Sequence, residues 1–180
     1  MAVAARLNRA EKLGDRILKV DHAGEHGAVN IYRGQIHACR WRAPSLVAQL
    51  HDNRTHEEMH RNIFDLELTN RSVRRCRSYH LCGLGGYVLG LITGLIGPNA
   101  IAATTVAVER VVLGHLQEQL AALQGSDPMA CETISSIIED EQSHHDRAAL
   151  QMQAGKLWSQ ILLPVVGGCT EVVIWLGMNL

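Results

Sequence analysis

The sequence predicts an all-α fold, a four-helix bundle made of two duplicated helical hairpins, with two additional apolar helices. Three observations predict it. Glu25 and Glu57 lie 32 positions apart, and so do Glu109 and Glu141. Glu25, Glu57 and His60 each recur 84 positions later, as Glu109, Glu141 and His144, and so do Gln35 (as Gln119) and Pro44 (as Pro128). Glu57 to His60 and Glu141 to His144 are both E-x-x-H segments, whose first and fourth residues share one face of a helix. Two such segments, with one glutamate from each of two other helices, form the ligand set of a dinuclear iron or manganese site held in a bundle.

Composition bounds the class. The 180 residues suffice for one domain with a sizeable core, so a single domain over 1–180 is expected. A net charge of −1 gives no global field favouring nucleic acid. Aromatics are scarce, and abundant Gly and Ala suit close helix packing. Cys39, Cys76, Cys82, Cys131 and Cys169 are odd in number and include no C-x-x-C pair, which argues for a reducing compartment and unpaired thiols. Met1 to Ala10 lacks the apolar core of a secretory signal.

The first helix is expected from about Leu13 to Arg40, on an apolar and small stripe of Ile17, Val20, Gly24, Gly27, Ile31 and Gly34. Glycines in mid-helix cost about 1 kcal/mol each against alanine, so they point to close backbone packing or to distortion around Glu25. Pro44 opens the second helix, expected from about Ser45 to Thr69, with Leu46, Leu50, Ile63 and Leu66 as core positions and Phe64 as a further candidate. Glu57 and His60 face inward in this reading and Glu58 outward.

Arg71, Arg74, Arg75 and Arg77 then form a basic cluster leading into the uncharged segment 81–97. This segment is barely long enough to span a bilayer, which takes about 17–25 residues. It reads either as a connecting helix crossing the bundle or as an interfacial helix, with the arginines on anionic headgroups and Tyr87, Leu91 and Leu95 on one face. A spanning helix is disfavoured, because both hairpins must stay on one side.

Pro98 opens the third helix, expected to reach Leu123. Glu109 sits there among Val106, Val112, Leu113, Leu116 and Leu120, where an unpaired carboxylate would be costly and a cation partner removes the cost. Gly125-Ser126-Asp127-Pro128 stops that helix and restarts the fourth, expected from Pro128 to about Ala154 with Gly155 ending it. Pro164 and Gly167-Gly168 predict a bent or short C-terminal apolar helix over 157–178, packed beside the glycine-rich segment.

Hard carboxylate oxygens with two imidazoles suit iron or manganese. Glu57 and Glu141 are the expected bridges, with Glu25 and Glu109 as terminal carboxylates. One competitor is a zinc metallopeptidase, since His56-Glu57-Glu58-Met59-His60 also matches H-E-x-x-H. That motif explains neither the second copy, where position 140 is Asp, nor Glu25 and Glu109. A metal-free helical interaction module leaves Glu109 unexplained.

Val20-Asp21-His22-Ala23-Gly24-Glu25, Val106-Ala107-Val108-Glu109 and Asp140-Glu141-Gln142-Ser143-His144-His145-Asp146 resemble the signatures of the demethoxyubiquinone hydroxylases, ferritin-like di-iron monooxygenases of ubiquinone biosynthesis. The resemblance runs from about Asp15 to Trp175. It implies metal ligation by Glu25, Glu57, His60, Glu109, Glu141 and His144, the same set the spacing indicates. It also implies a site tyrosine at Tyr32 and a histidine behind the ligands at His115. His26 stands where the family often has tyrosine, and Leu116 where it often has an aromatic residue.

The implied activity is O2-dependent hydroxylation of the ring of a polyprenylated methoxy-benzoquinol by two iron ions, with electrons from NADH or from the quinol itself. The implied setting is peripheral association with the inner face of a bacterial membrane or the matrix side of the mitochondrial inner membrane. A lipid-binding partner protein or a homo-oligomer accompanies that picture. Iron oxidation, peroxide scavenging and desaturation are the other outcomes of such a centre.

Overall fold

The computed structural model describes residues 4–8, 11–153 and 156–180. Among them the chain is helical throughout: α1 (Leu13–Arg42), a 3-10 turn (Pro44–Leu46), α2 (Val47–Asn70), α3 (Tyr79–Ile96), α4 (Pro98–Leu123), α5 (Pro128–Ser135), α6 (Ile138–Gln151) and α7 (Leu157–Asn179). α1 packs on α2 and α4 on α6, forming the two expected hairpins, while α3 lies along α1 and α7 along α4. Ile17, Leu18, Phe64, Leu116, Leu123, Ile134 and Ile137 are buried in the shared core of the bundle.

The turn between the hairpin's last two helices forms as its residues dictate. Gly125 takes φ +76°, a left-handed conformation that ends α4, and the Asp127 side chain accepts from the Ala130 N–H at 3.1 Å. The Asp127 carboxylate also accepts two bonds from the Arg71 guanidinium, at 2.6 and 2.8 Å. Arg71 further reaches Glu67 at 2.6 Å and Asp15 at 3.1 Å, tying α1 and the end of α2 to the start of α5. Arg71 is therefore spent on the fold, and only Arg74, Arg75 and Arg77 of the basic cluster are exposed.

The expected fourth helix is broken in two. The Ser136 hydroxyl donates to the Thr133 carbonyl at 2.7 Å, taking the acceptor that the Ile137 N–H would use in a continuous helix. Ile137 instead turns its N–H to Ile134 at 3.4 Å. The helix restarts at Ile138 and ends at Gln151, so the expected run to Ala154 is shortened. The stop assigned to Gly155 lies outside the described residues.

α3 packs along α1 on one face and exposes an apolar face on the other. Its glycine face meets α1 at backbone distance: a Cβ on Gly86 would overlap the Gly27 carbonyl, and one on Gly90 the Ile31 carbonyl. On α1, Gly34 serves the close approach, since a Cβ there would overlap the Tyr87 carbonyl, whereas one on Gly27 would make ordinary contact with Cys82 and Gly24 faces open space. The opposite face exposes Leu81, Leu84, Val88, Ile92 and Leu95. The expected outward stripe is corrected accordingly, because Tyr87 and Leu91 turn partly toward α1 and only Leu95 of that trio is exposed.

α7 is one long helix rather than a short one, with Pro164 inside it. Proline removes one backbone bond there, but Leu162 and Val166 flank it in a core with Ala100, Ala103 and Ala107 of α4, and this packing holds the helix together. Leu89 and Ile96 of α3 border the same cluster, so the two apolar helices flank α4 rather than lying along one another.

Candidate metal centre

Each bundle helix delivers its share of the expected ligand set: Glu25 from α1, Glu57 and His60 from α2 and Glu109 from α4, all near mid-helix, and from α6 His144 with Glu141 of its first turn. All six are almost fully buried. They fall into two groups whose ligand atoms lie within 4.8 Å of one another: Glu25, Glu57, His60 and Glu141 in one, Glu57, Glu109, Glu141 and His144 in the other. Glu57 and Glu141 belong to both groups, the position of bridging carboxylates, and Glu25 and Glu109 each belong to one.

The donor atoms fit two divalent cations. His60 Nδ1 approaches Glu141 Oε1 to 2.7 Å, and His144 Nδ1 approaches Glu57 Oε1 to 3.0 Å. Neither contact has the alignment of a hydrogen bond, and all four atoms are buried without a bonding partner. Buried polar atoms are rarely left so. Converging lone pairs of this kind suit a shared cation, and four carboxylates balance the charge of two dications.

The electrostatics agree. Burial pushes the Glu25 and Glu109 carboxyls well above the usual range, and the neighbouring carboxylates Glu141 and Glu57 push them further. Burial would raise Glu57 as well, but His144 and His60 hold it down to about 2. Burial would lower His60, yet Glu141, Glu57 and Glu25 raise it to about 11. Without cations the cluster must therefore keep protons between its carboxylates and imidazoles.

Each ligand histidine points its Nε2 away from the centre to an outer partner. His60 Nε2 lies 3.2 Å from Asp140 Oδ2, and His144 Nε2 lies 3.1 Å from His56 Nδ1. Sequence reasoning did not find these partners. The signal was available: His56 and Asp140 are also 84 positions apart, each just before its E-x-x-H. The zinc reading is corrected here, since His56 belongs to neither ligand group and sits behind His144. Glu58 faces outward as expected, 3.3 Å from Arg54.

Tyr32 is buried, with its hydroxyl lacking a well-aligned hydrogen bond. Burial and the charges of Glu57 and Glu109 keep its phenol protonated. The structure does not bring His115 into the cluster. Six positions along a helix is about 600°, which turns His115 roughly 120° from Glu109, and its Nε2 meets Glu171 of α7 at 2.8 Å. His26 stacks flat on Tyr79 of α3, with centroids 4.0 Å apart and planes 9° apart, and Leu116 is a core residue.

A four-helix bundle with paired E-x-x-H segments and two further carboxylates on one buried centre defines a ferritin-like dinuclear metal protein. Residues 12–177 match the family model described as ubiquinone biosynthesis protein COQ7, and the chain belongs to that family. It is 36% identical over 132 residues to a 3-demethoxyubiquinol 3-hydroxylase of Rhodospirillum rubrum, covering 73% of this chain and 62% of that protein. It is 34% identical over 145 residues to the mitochondrial NADPH-dependent 3-demethoxyubiquinone 3-hydroxylase of Mus musculus, covering 78% of this chain and 64% of that protein. These matches take in less than two thirds of either relative's length.

Proposed function

We propose that this chain is a di-iron monooxygenase that hydroxylates the ring of a polyprenylated methoxy-benzoquinol, demethoxyubiquinol, in ubiquinone biosynthesis. The observation that carries this reading is the pair of overlapping ligand groups sharing Glu57 and Glu141. Family membership supplies the substrate class.

Two irons held there supply dioxygen activation, the oxidising chemistry that insertion of oxygen into an aromatic ring requires. The protein's own residues set the conditions. Glu57 and Glu141, common to both groups, would hold both cations, Glu25 and Glu109 would each serve one, and His60 and His144 would add neutral donors. Burial excludes water that would otherwise quench an oxidant. Tyr32, kept protonated by burial and the charges of Glu57 and Glu109, would serve as a hydrogen-bond donor rather than as a base. The electrons come from a reduced nicotinamide or from the quinol itself. The mouse relative's name specifies NADPH.

Two described helices, Tyr79–Ile96 and Leu157–Asn179, are long and apolar enough to cross a membrane. In this reading they rest on it instead, because α3 buries its glycine face on α1 and exposes an apolar one. A substrate with a long isoprenoid tail then enters from the lipid side. The membrane is the inner face of a bacterial cell membrane or the matrix side of the mitochondrial inner membrane, and a homo-oligomer or a lipid-binding partner is the expected associate.

Turnover of the reduced demethoxy substrate under ¹⁸O2 tests the reading. One labelled oxygen is expected in the hydroxylated ring, detected by mass spectrometry. Consumption of peroxide or free Fe(II) with no ring product would favour a scavenging or iron-oxidising protein.

A further inference from the structure

The internal repeat brings equivalent positions together at the metal centre, and at one pair the chemistry differs. Position 56 and position 140 both precede the glutamate of an E-x-x-H, and each supports the histidine of the other copy. Asp140 backs His60 and His56 backs His144. To present Nδ1 to a cation, each ligand imidazole must carry its hydrogen on Nε2, and that N–H needs an acceptor. Asp140 offers a carboxylate oxygen at 3.2 Å. His56 offers only the lone pair of a neutral ring at 3.1 Å. A carboxylate acceptor raises the donor strength of a ligand imidazole more than an uncharged acceptor does.

We propose that the two metal positions are inequivalent and fill in order, the Glu25–His60 position before the Glu109–His144 position, because His56 stands where the repeat's other copy has aspartate. His56 is a positioning residue that acts through His144. Outer partners of ligand histidines typically change metal affinity by about 10–100-fold. The Asp140 side chain is 52% exposed and hence partly hydrated, so the separation belongs near the lower end, about tenfold.

The inference rests on the dinuclear reading above. The test is anaerobic titration of the protein, freed of metal by chelator, with Mn(II), followed by calorimetry and by electron paramagnetic resonance. The wild type should bind in two steps separated by about tenfold, with an uncoupled Mn(II) signal dominating at one equivalent. His56→Asp should tighten the second step and merge the two, while Asp140→His should weaken the first until the steps merge at lower affinity. A purely structural role for His56 would lower the melting temperature without changing the ratio of the steps. Should His56→Asp fail to fold, Asp140→His decides the matter alone. Two equal steps in the wild type, or a ratio unchanged in the variants, would overturn the inference and leave the dinuclear reading intact. Absence of Mn(II) binding would instead overturn both.

Discussion

Glu57 on α2 and His144 on α6 meet at the centre of the bundle, Oε1 3.0 Å from Nδ1, the carboxylate of one repeat copy against the imidazole of the other. His60 and Glu141 make the reciprocal contact at 2.7 Å. The duplication thus interlocks at the site, and neither hairpin holds a complete set of ligands for either cation.

Glu57→Ala and Glu141→Ala should therefore be equally damaging, since each carboxylate is shared by both groups. Both should lose metal and more than about 100-fold in turnover, exceeding the usual effect of an outer partner. Glu58→Ala and Glu139→Ala should keep both within about twofold, as expected of surface positions. Metal analysis beside steady-state kinetics decides it, and an equal loss at Glu58 would mean that the wrong carboxylate has been assigned.

Metal loading should depend on pH. His60, raised to about 11, and Glu25 and Glu109, raised well above the carboxylate range, hold protons at neutral pH that cations must displace. Affinity should rise with pH between 6 and 8, with protons released into weakly buffered solution on titration. Binding independent of pH would show that the cluster is already deprotonated.

The grouping of the six candidate ligands was legible because its information is periodic: the 32- and 84-residue spacings single them out without any tertiary knowledge. The break at Ser136 was not, since it depends on which donor wins the Thr133 carbonyl. The outer partners His56 and Asp140 reach across copies, and that crossing is a property of the assembled bundle. His115 was expected behind the ligands from its place six positions after Glu109 and from the resemblance, but its helical phase turns it to Glu171. Pro164 does not shorten α7 for a related reason: one lost backbone bond is outweighed when Leu162 and Val166 pack on α4.

The glycines of α3 should separate packing from propensity. Gly90→Ala drives a Cβ into the Ile31 carbonyl and should cost about 1–3 kcal/mol. Gly85→Ala meets nothing within 4 Å and should stabilise the helix by up to about 1 kcal/mol. Opposite shifts in thermal midpoint are expected, and matching shifts would contradict the backbone contact between α1 and α3.

Membrane binding should follow the exposed face of α3. Replacing Leu84 and Ile92 together with glutamate should release the protein from anionic vesicles, as read by co-sedimentation, while metal content stays unchanged. Turnover of a long-tailed quinol should fall far more than that of a short-tailed analogue. Unaltered sedimentation would mean that α3 is not the lipid-facing element.

The most direct test of the dinuclear centre is anaerobic reconstitution with ⁵⁷Fe(II), followed by metal analysis and Mössbauer spectroscopy after exposure to oxygen. Two irons per chain, giving the spectrum of a coupled ferric pair, are predicted by the two ligand groups that share Glu57 and Glu141. A single mononuclear iron, or one tightly held zinc lost on His56→Ala, would contradict it.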